Sequence, residues 1–173
     1  MLGWKSQEVA DLFEISLPAV NSALQRARLT LSRQQTAQAF YRPAGSNDPQ
    51  LSFLLARYVQ AWETADADGL IALLRDDAIL SMPPFPAWFR GIPAIHKFLN
   101  GFLFAGPDTR RFRLLATRAN GGPAFAVYQR QDGRFLPAAL QVLTLHQGKI
   151  VRLDDFLVSD ARLFSQFRLP LSL

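Results

Sequence analysis

Apolar residues recur at helical spacing through the amino-terminal part of the chain and alternate with polar ones through most of the remainder, which predicts helices first and strands later. Val9, Leu12 and Phe13 share one face of a first short helix that Ser6 can cap, and the chain turns near Glu14. Ser16 can cap a second helix, in which Val20, Leu24, Ala27 and Leu31 form one stripe, the expected buried side. Pro18 fits the first turn of that helix, where a missing backbone donor costs nothing. From Arg42 to Pro49 the chain concentrates turn formers, which end any helix over 32–41. The expected division is a helical segment over 1–41, a linker over 42–49 and an α+β domain over 50–173.

In the larger segment Leu51, Leu55, Tyr58 and Trp62 recur at helical spacing, and Asp68 can cap a short helix holding Leu70, Ile71, Leu73 and Leu74. Asp76 and Asp77 read as the polar end of that helix, and Ala78 to Met82 as a strand stopped by Pro83, Pro84 and Pro86. Pro93 opens a third helix with Ile95, Phe98, Leu99 and Phe102 inward. Strands follow over 110–119, 124–131, 134–146 and 150–158, with turns at Gly121-Gly122, Asp132-Gly133 and Gln147-Gly148. An apolar segment from Leu163 to Leu171 closes the structure. This order predicts helices packed on a curved antiparallel sheet, a cone whose open mouth suits a small-molecule cavity.

Composition narrows the chemistry. With 173 residues, 49% of them hydrophobic, the chain can form one full domain plus an appendage. No apolar run approaches the roughly twenty residues that cross a bilayer, and the amino-terminal stretch is too polar for a signal peptide, so a cytoplasmic chain with no membrane contact is expected. The absence of cysteine excludes disulfides and thiolate metal sites. His96 and His146 are far apart and read as surface groups, so neither a metal nor a cofactor is expected. There is no phosphate-cradling glycine loop and no G-x-S-x-G elbow. The net charge of +5 permits attraction to polyanions, but the excess is spread along the chain. The Arg110-Arg111-Phe112-Arg113 cluster reads as solvated basic surface.

The face of the second helix opposite its stripe carries Asn21, Ser22, Gln25, Arg26 and Arg28, side chains suited to base edges and phosphates. With Pro18 these are the candidate DNA-binding residues. The spacing alone fits an ordinary amphipathic hairpin equally well. The string Gly3 to Phe13, followed by Val20-Asn21-Ser22-Ala23-Leu24-Gln25-Arg26-Ala27-Arg28, resembles the last domain of extracytoplasmic-function (ECF) RNA polymerase sigma factors, whose second helix reads the upstream promoter element. The resemblance implies promoter DNA and the RNA polymerase core as partners. Other parts of that family find no counterpart in the sequence, and a lone helix pair buries little apolar surface, so the chain is expected to be a piece of a longer protein.

A second set of residues, Tyr58 to Glu63, Asp68 to Leu74, Ser81-Met82-Pro83-Pro84 and Trp88-Phe89-Arg90-Gly91, is similar to the SnoaL-like domain of the nuclear-transport-factor-like superfamily over roughly 50–170. That resemblance implies the cone, a homodimer through the open sheet face, and either an isomerase, cyclase or hydrolase using a pocket carboxylate or a domain that only binds. Asp155 is the single catalytic candidate: Val151, Leu153 and Leu157 share its strand parity, which argues for burial and a raised pKa. The competing reading makes it a rim carboxylate paired with Arg152 or Arg90. Trp62, Met82, Phe85, Trp88, Phe89, Tyr128 and Gln141, with Asp155, are the expected pocket lining, although core packing explains most of the aromatics equally well. Gln141, among apolar neighbours, requires a hydrogen-bond partner if buried. The favoured function is a promoter-reading sigma-factor segment with a SnoaL-like module regulating it in cis. The alternatives are a SnoaL-like enzyme and a non-catalytic small-molecule sensor.

Overall fold

The computed structural model describes residues 5–38, 48–108, 110–158 and 162–173, with the backbone alone over 31–38. The chain divides into two compact units, 1–42 and 43–173. Gly3, Trp4 and the expected linker up to residue 47 lie outside the described residues, whereas Asp48 and Pro49 cap and open a helix.

In the first unit, α1 (Ser6–Leu12) and α2 (Leu17–Gln38) are joined by a tight turn. Lys5 rather than Ser6 occupies the cap of α1, because the Glu8 carboxylate reaches back to accept from its backbone N–H at 2.7 Å. The helix ends as the Ile15 N–H donates to the Ala10 carbonyl at 3.0 Å, with Glu14 in the left-handed region at φ 52°. Ser16 Oγ accepts from the Ala19 N–H at 3.3 Å and so caps α2. The helix runs on beyond Leu31 without interruption to Gln38. The expected buried stripe is corrected as well: Val20 is buried, but Leu24 is 41% exposed and Ala27 is exposed. Two turns of α1 span only a fraction of a 22-residue helix, so within this unit they cover only its beginning.

The second unit begins with α3 (Pro49–Glu63), capped by the Asp48 carboxylate. Its buried face is Leu54, Tyr58, Ala61 and Trp62. The helix stops with Ala65 at φ 53°, and Asp66, not Asp68, caps α4 (Ala67–Ile71) by accepting from the Gly69 N–H at 2.8 Å. A Cβ at residue 69 would lie 2.2 Å from the Asp66 carboxylate, which explains the glycine. β1 (Leu74–Ser81) starts earlier than expected and absorbs Asp76 and Asp77, and a short β2 (Trp88–Arg90) pairs with it. After α5 (Ile92–Phe98) a π-helical turn over Leu99–Leu103 shifts the inward face, so that Phe102 is 73% exposed rather than inward.

Four long strands complete the sheet: β3 (Phe112–Ala119), β4 (Gly122–Gln131), β5 (Arg134–His146) and β6 (Lys149–Leu157). Each hairpin turns on two residues of positive φ, at Asn120-Gly121, Asp132-Gly133 and Gln147-Gly148; the first lies one residue earlier than expected. The sheet order is β2-β1-β6-β5-β4-β3. The β1–β6 pair is parallel, so the sheet is mixed rather than wholly antiparallel. Phe125 and Val127 of β4 join the core under α3, while Ala126 and Tyr128 face the other way and pack with Phe164 of α6 (Arg162–Gln166). The Tyr128 hydroxyl donates to the Pro170 carbonyl at 2.8 Å, tying the carboxyl-terminal segment down.

Phe164 is fully buried and meets the Tyr128 ring edge-on at 5.2 Å. Phe164→Ala is expected to destabilise the cone by about 3 to 5 kcal/mol in denaturant unfolding. A loss below about 1 kcal/mol would mean that α6 does not close the outer face as described.

Candidate functional site

Strand alternation builds the site. Val127 and Gln129 of β4, Ala139 and Gln141 of β5, and Asp155 and Leu157 of β6 line a cavity of about 670 Å³ on the helical side of the sheet. Trp62 of α3 forms another wall, and Phe85 and Phe102, both largely exposed, stand at its edge. The parity of β6 is set by a bulge: Thr144 pairs with Arg152 and Leu145 with Ile150, which leaves Val151 between them unpaired. Ile150 therefore takes the inward position expected for Val151, and Leu153 and Asp155 follow in phase.

Gln141 and Asp155 are direct partners across β5 and β6, and both are buried. The Tyr58 hydroxyl donates to Gln141 Oε1 at 2.7 Å. Gln141 leans on Asp155 and Trp62 on Tyr58, yet Gln141 Nε2, Asp155 Oδ1, Trp62 Nε1 and Arg111 Nε, all buried, make no well-formed hydrogen bond among the described residues. An orphaned polar atom in a native interior is uncommon, and four on residues that line one cavity offer polar contacts to solvent or to an occupant. Arg111 also donates to the Leu103 carbonyl and lies over the Phe112 ring at 5.3 Å.

Burial lifts the Asp155 carboxyl to about 7; the amide of Gln141 opposite offsets part of the rise, and the charge of Asp154 adds to it. Burial also raises the Tyr58 hydroxyl well above its usual range, and the negative charge of Asp155 raises it further. The reading of Asp155 as a rim carboxylate paired with arginine is overturned. Arg152 holds Asp154 at 2.8 Å, and the Ser81 hydroxyl donates to the same carboxylate. Adjacent strand residues point to opposite faces, so the arginine that serves Asp154 cannot also serve Asp155.

Of the expected lining, Trp62, Phe85, Gln141 and Asp155 border this one cavity. Met82, Trp88, Phe89 and Tyr128 are not among the lining residues of this cavity. Tyr128 lies on the opposite sheet face, Trp88 is 64% exposed beside a shallow depression with Arg152, and Phe89 stacks on Phe98 at 4.4 Å. Met82 packs against the core cluster. Tyr58, Gln129 and Arg111 were missed as site residues. The parity of Val127 was enough to find Gln129 and exclude Tyr128, whereas Arg111 precedes β3 and no period placed it. It belongs to the cavity wall, not to a wholly solvated basic cluster; its neighbour Arg113 pairs with Glu63 at 2.9 Å. His96 is bonded at the surface to Asp68 and Asn100, and no group of metal-binding side chains occurs among the described residues.

The six candidate DNA-binding residues lie on α2, where Pro18, Asn21, Ser22, Gln25, Arg26 and Arg28 are all exposed. No helix among the described residues is long and apolar enough to cross a membrane.

Residues 55–153 match the SnoaL-like domain family. All of the chain aligns at 40% identity with the ECF RNA polymerase sigma factor SigG of two Mycobacterium tuberculosis strains. The chain spans 46% of the length of those relatives and is homologous to their carboxyl-terminal half. Among solved structures, an NTF-2 like protein of unknown function from Burkholderia xenovorans is similar over 68% of this chain and 92% of its own, with a TM-score of 0.51 and 18% identity. A putative ketosteroid isomerase from Kribbella flavida is similar over 64% of this chain and 79% of its own, with a TM-score of 0.50 and 19% identity. At these identities the likeness concerns the fold.

The raised pKa of Asp155 has a stability consequence of defined sign. Between the unfolded value near 3.8 and the folded value of about 7, the folded chain holds a proton that the unfolded chain has lost. The stability contributed by the protonated group is complete below that window and lost as pH rises through it, by at most about 1.4 kcal/mol per pH unit. Asp155→Asn is therefore expected to gain stability relative to the unsubstituted chain as pH rises from about 4 to about 7, measured by urea unfolding. A difference constant with pH would show that Asp155 is not desolvated.

Proposed function

Because the chain belongs to the SnoaL-like domain family and is homologous over its full length to part of an ECF sigma factor, we propose that it couples promoter reading by α2 to a ligand-binding cone that regulates it in cis. The observation that carries this reading is the exposed polar row Asn21, Ser22, Gln25, Arg26 and Arg28 on one long helix, within a chain that aligns over its whole length with part of a sigma factor. Amide and hydroxyl groups contact base edges, arginines contact guanine or phosphate, and Pro18 lets the first turn approach the backbone. Promoter DNA is the direct partner, and the RNA polymerase core is the partner of the sigma factor as a whole.

The cone supplies the regulatory part. Its wall is mostly apolar with a few polar atoms awaiting a partner, the usual make-up of a small-molecule site. One observation favours a second reading, in which the cone is an enzyme. Asp155 is a buried carboxylate poised near neutrality in a cavity, which suits a general base. Under that reading Asp155→Asn abolishes turnover of a bound small molecule; under the favoured one the ligand emerges unaltered.

Arg26→Ala tests the promoter-reading half. Affinity for a promoter duplex of the matching sigma factor, measured by fluorescence anisotropy, is expected to fall about tenfold to a hundredfold with the helical circular dichroism unchanged. The salt slope of binding falls by about one if Arg26 contacts phosphate. Unchanged affinity in the variant would remove α2 from the duplex.

A further inference from the structure

The floor of the cavity is incomplete in a way that one functional group completes. Gln141 and Asp155 face each other in register on β5 and β6. Because Tyr58 donates to Gln141 Oε1, the orientation of the amide is fixed and the hydrogens on Nε2 are left over. Trp62 lies one turn further along α3, its ring 6.3 Å from that of Tyr58, and its buried N–H also makes no well-formed hydrogen bond among the described residues. Two donors and one carboxylate oxygen thus remain on residues that line one cavity, whose other walls include Phe112, Val127, Ala139 and Leu157. Water can serve the polar atoms but not the apolar walls.

A hydroxyl accepts two hydrogen bonds and donates one, which is the complement of this set. A ketone or ether oxygen only accepts, and would leave ionised Asp155 unsatisfied. A carboxylate there would meet Asp155 as a like charge.

Resting on the reading of the cone as a ligand-binding module, we propose that it takes an uncharged organic molecule with an apolar ring skeleton and a hydroxyl at its buried end. The hydroxyl oxygen accepts from Trp62 Nε1 and Gln141 Nε2 and donates to Asp155 Oδ1. Arg111, with its unpartnered Nε, offers a further donor on the wall for an acceptor elsewhere on the same molecule. The titratable and charged groups around Asp155 are Tyr58 from α3, Arg111 before β3 and Asp154 on its own strand. Tyr58 stays neutral, so Asp155 is the member of this set that changes charge near neutrality. Affinity for an alcohol therefore rises as Asp155 ionises, and affinity for a ketone falls.

Calorimetric titration of the chain with borneol, its methyl ether and camphor tests this, since the three share one skeleton and differ in the oxygen group. Borneol is expected to bind about tenfold more tightly than the other two, with a preference that widens from about pH 6 to about pH 8. Trp62→Phe, which keeps an aromatic ring in the wall and removes the N–H, is expected to cost borneol about fivefold while thermal melting shows a folded chain. Equal binding of the three, a preference for camphor, or no binding of any at millimolar concentration overturns the assignment. Borneol binding that leaves promoter affinity unchanged supports the ligand class and counts instead against regulation in cis.

Discussion

The hydrogen bond from Tyr58 to Gln141 organises the cone. It joins α3 to the middle of the sheet at 2.7 Å, between two groups that are both fully buried. In that setting the bond is worth more than at the surface, and so is the penalty for any polar atom it leaves out. By consuming the amide oxygen it commits the amide nitrogen to a different partner, and no well-formed bond to one occurs among the described residues. Asp155, opposite in register, is left with an orphaned oxygen and a carboxyl poised near neutrality. The hollow in the cone is thus bounded by polar atoms that the fold positions without satisfying.

The surrounding structure holds those atoms in place. Phe125 stacks on Tyr58 at 5.2 Å, and Phe104 and Phe112 meet Trp62 edge-on at 5.4 and 5.6 Å, so the two α3 side chains have little freedom to turn away. On the outer face Asp154 has its own arginine and serine partners, which separates the two adjacent carboxylates into one paired and one unpaired. The bulge at Val151 is what gives Asp155 its inward phase. Strain or mispacking at that bulge would turn the carboxylate toward solvent and remove the site.

Much of this was legible in the sequence, for identifiable reasons. The length and boundaries of β5 followed from the Asp-Gly and Gln-Gly turns that flank it, whereas strand parity offered burial of Asp155 only beside the rim reading, and burial of Gln141 was conditional. The turn near Glu14 was legible, but two other helix ends were not, because Ala65 and Arg168 adopt the left-handed conformation where glycine is the usual signal. The π-helical turn that moves Phe102 outward, and the parallel β1–β6 pairing, leave no periodic trace. Tyr128 was assigned to the wrong face although the parity of Phe125 and Val127 excluded it. The stripe on α2 read as buried by its pattern alone; the pattern specifies which face seeks a partner, and α1 is too short to supply one along its length.

Titration of the Asp155 carboxyl carbon by NMR in the unliganded chain addresses the unsatisfied floor most directly. The desolvated and unpaired carboxylate is expected to titrate near 7, with the Tyr58 hydroxyl remaining protonated throughout. A midpoint in the ordinary range near 4 would contradict it, because it would mean that water or an arginine already satisfies Asp155 and that the cavity floor has nothing left to offer a ligand.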